Sequence, residues 1–170
     1  MTKQTISSNT KSRPGFHSKA FGEGLEILKD EIQLAFQWQR PSILLAVHNS
    51  KHEQPKAQQS LEKELLKMNK RVEWIKATEQ TLDVIIEICK APNRDEIVFF
   101  VSELGNADNP TSTTIYHALN LHREILVEQH IRVVFWLIKS EASELPHHAP
   151  DFWAFRHRVV EFASRRTEKK

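Results

Sequence analysis

Five short apolar runs alternate with segments whose apolar residues recur at helical spacing, and this alternation limits the fold more than any motif does. The runs are ILLAV at 43–47, RVEWI at 71–75, IVFFV at 97–101, IRVVFWL at 131–137 and RVVEF at 158–162. The first and third contain no polar residue, as expected of parallel strands buried on both faces, whereas the second alternates as a half-buried strand does. Leu25, Leu28, Ile32 and Ala35 mark a helix that stops before Pro41, because a residue preceding proline is pushed out of the helical region. Ala57, Leu61, Leu65 and Met68 mark the next helix, with further helical stretches over 82–89, 113–129 and 140–157. This alternation predicts an α/β fold: a three-layer, doubly wound, mainly parallel five-stranded sheet.

Two strand orders fit. In a flavodoxin-like sheet the order is 2-1-3-4-5. In a P-loop NTPase-like sheet the first strand lies beside the third, whose end carries an acidic residue that handles magnesium. The third run here continues Ser102-Glu103-Leu104, which puts Glu103 in that place, and the first run ends at His48-Asn49, where a phosphate loop would begin.

The loop itself argues against phosphate chemistry. The segment HNSKHEQP at 48–55 contains no glycine, although backbone N–H groups converge on phosphates through conformations that side chains obstruct. Neither Lys51 nor Lys56 is followed by Ser or Thr, and Pro55 removes an N–H donor while suiting the first turn of a helix. Magnesium-dependent nucleotide hydrolysis is therefore not expected.

A chain of 170 residues suits one domain, and 39% apolar with 27% charged residues is ordinary for a globular protein. The expected organisation is a disordered polar segment at 1–18, a single α/β domain at 19–162 and a basic flexible tail at 163–170. No apolar run approaches the ~20 residues that span a bilayer, and no apolar leader is evident, so no membrane association is expected. Cys89 is the only cysteine and sits in an apolar run, which excludes intrachain disulfides and suggests a reducing, cytoplasmic setting. A net charge of +2 is too small to argue for nucleic acid by itself.

The stretches AFQWQRPSILLAVHNSKHEQPKAQQSLEKEL, EIVFFVSEL, YHALNLHREILVEQHIRVVFWL and HHAPDFWAFRHRVVEF resemble a domain near the N-terminus of large bacterial proteins with tetratricopeptide repeats. They also resemble the core of signal-transduction NTPases, without the phosphate-binding motif. The resemblance covers roughly 20–162, and its most distinctive part is APDFWAFRHRVVEF. It implies a regulatory or scaffolding role without catalysis. No repeats follow in this chain, so a standalone version or one domain of a longer protein is expected.

Several constellations are candidates for function. His48, Asn49, Lys51 and Glu103 are expected to gather at the C-terminal edge of the sheet, where open α/β folds bind ligands, with Lys51 facing a small anion. The alternative is a set of solvated loop residues. Asn120 and Arg123, three apart on one helix face, suit a clamp in which Asn120 bonds a loop and Arg123 a carboxylate. In APDFWAFRHR, Asp151 is placed to cap a short helix, Trp153 and its aromatic neighbours to lock that helix onto the sheet, and Arg156 and His157 to serve structure or a docking surface. Glu141 and Glu144, three apart, read as a solvated helix face. No HExxH, CxxC or GxSxG motif occurs, and apolar surroundings would make Cys89 a poor nucleophile.

The function expected is thus a non-catalytic regulatory or protein-interaction module that engages a protein partner or a second copy of itself and needs no cofactor or metal. The alternatives are a nucleotide or signal-molecule sensor that does not hydrolyse its ligand, and a nucleic-acid accessory protein using the basic tail.

Overall fold

The computed structural model describes residues 18–163. The expected N-terminal disordered segment and the basic tail fall outside these residues, apart from Ser18 and Ala163. Each strong apolar run is a strand: β2 (Ser42–His48), β3 (Arg71–Lys76), β4 (Ile97–Ser102), β5 (Arg132–Ile138) and β6 (Arg158–Phe162). A two-residue strand, β1 (Ser18–Lys19), joins them, and all neighbours in the resulting six-stranded sheet pair in parallel.

The parallel α/β sheet with helices on both faces is as expected; its strand order is β1-β6-β2-β5-β4-β3, which departs from both expected orders in the neighbours of β2. The first long strand, β2, does not touch β4, the third; β5 lies between them and pairs with both. Given this order, crossover handedness accounts for the faces that the helices occupy. The chain travels across the sheet from β1 to β3 with α1 (Phe21–Gln37) and α2 (Gln54–Lys67) on one face. It then returns through β4, β5 and β6, and a right-handed return must place its helices on the other face. That face carries α3 (Ala77–Gln80), α4 (Val84–Cys89), α5 (Pro110–Glu128), α6 (Lys139–His148) and α7 (Pro150–Phe155).

Side-chain alternation divides the core into two layers. Ile43, Leu45 and Val47 of β2, Phe99 of β4 and Phe135 of β5 pack under α4 to α7. Leu44, Ala46, Phe100, Trp136 and Phe162 pack under Leu28 and Ile32 of α1 and Leu61 and Leu65 of α2. The central strands β2, β4 and β5 are thus buried on both faces, whereas edge strand β3 buries only Ile75.

Local signals set the ends of the helices. Pro110 opens α5 behind Asn109, whose Oδ1 accepts the Thr111 amide at 2.9 Å. Pro55 likewise falls in the first turn of α2. The single helical stretch expected over 140–157 is two helices. Ala149, with φ −139°, breaks the run, and Pro150 starts α7.

Candidate functional site

The sheet's C-terminal edge gathers the loops that follow β2, β4 and β5. His48 ends β2 but is not offered to solvent there. Because β2 alternates, its imidazole turns into the layer under α1 and α2, where it is 2% exposed. It stacks on Phe162 with ring centroids 4.4 Å apart and lies 5.9 Å from Trp136. Neither ring nitrogen has a hydrogen-bond partner among the described residues. Burial without a partner disfavours the charged form, and the pKa falls to about 4. The expectation that His48 belongs to an open ligand cluster is therefore corrected: it is an aromatic plug of the core.

Asn49 and Lys51 are exposed in the following loop. Glu103 stands at the end of β4, across β5 from that loop, with its backbone in the left-handed region at φ 59° and its carbonyl accepting the Thr78 amide at 3.1 Å. Lys51 and Glu103 thus do not occupy adjacent strand ends as expected. The charge of Lys51 bears on the Glu141 carboxylate of α6.

Glu141 and Glu144 are the residues that sequence reasoning missed. Glu141 is 2% exposed, not a solvated helix residue. Its Oε1 accepts the Ile138 amide at 3.0 Å, and its Oε2 accepts the Gly105 amide at 2.7 Å. Glu144 Oε2 accepts the Ala107 amide one turn further along α6. Burial raises the Glu141 carboxyl above its ordinary pKa, opposed by the amides of Ile138 and Gly105 and by the charge of Lys51. Tyr116 Oη donates to Gly105 O at 2.8 Å, and Thr113 Oγ1 donates to Ala107 O at 2.9 Å. The β4–α5 loop is therefore held from both sides by α5 and α6. The available signal was the spacing of Glu141 behind Ile138, which places a carboxylate within reach of the helix's own first amide.

The second constellation is a joint between α5 and α7. Asn120 Oδ1 accepts the amides of Asp151 and Phe152 at 2.8 and 3.1 Å. It does for α7 what Asp151 was expected to do. Asp151 lies inside the first turn, where its carboxylate accepts from Asn120 Nδ2 at 3.4 Å and lies 4.0 Å from Arg123 Nη1. Phe152 is fully buried edge-on to Phe135 at 5.1 Å. Trp153, expected in the core, is only half-buried. Its indole packs against the margin of that core layer, and the Arg156 guanidinium stacks on it at 4.1 Å. His157 joins β6 to β2: its amide donates to Ile43 O and its Nδ1 accepts the Ile43 amide, both at 2.8 Å. That acceptor role requires the neutral ring, and burial lowers its pKa.

A cavity of about 510 Å3 opens between α6, α7 and β6, floored by Val47 and Val159 and walled by Ala142, Pro146 and Trp153. The ion pair between Lys139 Nζ and Glu161 Oε1, at 3.3 Å, lies on its rim. Among the described residues, no group of three or more His, Cys, Asp or Glu side chains is placed to hold a metal ion, and no helix is long and apolar enough to cross a membrane.

No family model matches the chain, and no curated protein matches it. Among solved structures, the chain is similar to the Aeropyrum pernix ORC2 protein in its ADP form, with 13% identity and a TM-score of 0.49. The match covers 91% of this chain and 50% of that one, so this chain spans half that protein's length.

Proposed function

We propose that this chain is a non-catalytic regulatory module that works by binding protein. The observation that supports this most is the state of the β2 terminus. Where a phosphate loop would start, a neutral, unpartnered His48 ring is packed against Phe162. The loop beyond it has no glycine, and Lys51 there is exposed. The nearby carboxylate, Glu141, is engaged with backbone amides rather than set to hold a magnesium ion. This reading agrees with the regulatory role that the resemblance to repeat-containing signalling proteins implies.

Calorimetry with ATP, GTP and ADP, with and without magnesium, tests it, together with a phosphate-release assay. No binding heat and no turnover are expected. Micromolar nucleotide binding that weakens in Lys51→Ala would overturn the reading and make the chain a sensor.

A further inference from the structure

Strand β3 ends the sheet, and among the described residues it pairs on one side only, with β4. Arg71, Glu73, Trp74 and Lys76 are exposed along it. The Lys76 amide donates to Gln80 Oε1 at 2.7 Å, so the backbone at this position points away from β4. Backbone direction alternates along a strand, so Val72 and Trp74 also present their amides and carbonyls outward. Small cavities of about 210 and 250 Å3 share Glu73 and Pro92 on the α4 side of the strand. On the α2 side, Trp74 rests edge-on against Phe100 at 5.1 Å yet stays 40% exposed.

We propose that this edge is a self-association site, where β3 pairs antiparallel with β3 of a second copy about a two-fold axis through Val72. The charge pattern selects both the occupant and the register. With the axis at Val72, Arg71 stands opposite Glu73 of the second copy, and Glu73 opposite its Arg71. Directly opposed cross-strand side chains have Cβ atoms about 4.5–5.5 Å apart, close enough for both ion pairs. Moving the axis to Glu73 sets the two carboxylates against each other. Moving it to Trp74 places Glu73 opposite Ile75 and Arg71 opposite Ala77, so neither charge is answered.

The backbone fits the same register. Val72 exchanges both of its hydrogen bonds with its counterpart, and each Trp74 amide meets the Lys70 carbonyl of the other copy. The Lys70 amide, bonded to Leu65 O at 3.0 Å, is not required. The two-fold axis stands perpendicular to the sheet, so the helical layers of the copies continue one another. Pairing covers a strand edge that an isolated copy leaves open. It also identifies the protein partner of the interaction module as the chain itself, and so rests on that reading. A strictly monomeric chain overturns the pairing, whereas nucleotide binding overturns the module.

Sedimentation equilibrium on the chain and its charge-swapped variants tests this, with circular dichroism as a check on folding. The parent is expected at twice its 19.8 kDa mass. Arg71→Glu and Glu73→Arg should each weaken the dimer by roughly tenfold or more, since each turns two attractive pairs into repulsive ones. Mixing these two variants should give a heterodimer, and the double variant should recover the parent affinity. A parent that stays monomeric overturns the proposal, as do single variants that dimerise like the parent or a mixture that fails to associate. Hydrogen exchange on the unaltered chain reads the same edge. The Val72 and Trp74 amides should gain protection with rising concentration, and exchange independent of concentration overturns the pairing.

Discussion

Glu141 Oε2 accepts the Gly105 amide at 2.7 Å and so ties the first turn of α6 to the loop leaving β4, thirty-six residues earlier in the chain. A hydrogen bond to a charged acceptor contributes about 1.5–3 kcal/mol, and a buried amide left unpaired costs a similar amount. Glu141→Ala should therefore lose about 2–3 kcal/mol and melt several degrees lower. Glu141→Gln should recover only part of this, because its NH2 would face one of the two amide donors. Thermal melts of the two variants check the ranking.

Gly105 is constrained from a second direction. Its φ is +78°, and a Cβ there would lie 2.2 Å from the Ser112 hydroxyl oxygen, which is buried in α5. Gly105→Ala combines a left-handed backbone with a clash, so it should cost about 1–3 kcal/mol. Urea unfolding measures the loss. Ser112→Ala removes the nearest obstacle, and combining it with Gly105→Ala should recover part of the loss.

His48 makes stability depend on pH. Its native pKa of about 4 lies below the ordinary value of 6.5, so the unfolded chain takes the proton first as pH falls. Its contribution is complete above pH 6.5, declines between 6.5 and 4 and is constant below. The full decline amounts to about 3 kcal/mol. His157, lowered by burial, adds in the same direction, and Glu141, raised by burial, acts in the opposite one. The difference between the parent and His48→Phe isolates the effect. The variant, free of two unpartnered nitrogens, should be about 1 kcal/mol more stable at pH 7 and gain more toward pH 4. Denaturant midpoints across that range check both parts.

Phe152 and Trp153 should separate on truncation. Phe152 is 0% exposed against Phe135, and Phe152→Ala should cost about 3–5 kcal/mol. Trp153 is half-buried on a cavity wall, so Trp153→Ala should cost less than Phe152→Ala. Equal losses in paired denaturant titrations would show that the Trp153 indole belongs to the core.

The sequence by itself determined the layered α/β architecture. Ile43 to Val47 and Ile97 to Val101 lack any polar residue that could face water, so both strands had to be central. The lack of a glycine and of a Lys-Ser or Lys-Thr pair in the β2–α2 loop is likewise read from the sequence alone, because both are local features. Tertiary structure alone decided the strand order, since handedness fixes the face of each crossover but not how many strands it skips. It also decided the fates of His48 and Glu141. His48 is buried because β2 pairs with β5 and β6, which bring Trp136 and Phe162 against its ring. Glu141 is buried because the β4–α5 loop folds back over α6 and supplies an amide. Periodicity records which side of an element a residue occupies. What waits on that side depends on contacts distant in sequence, and these form only when the sheet assembles.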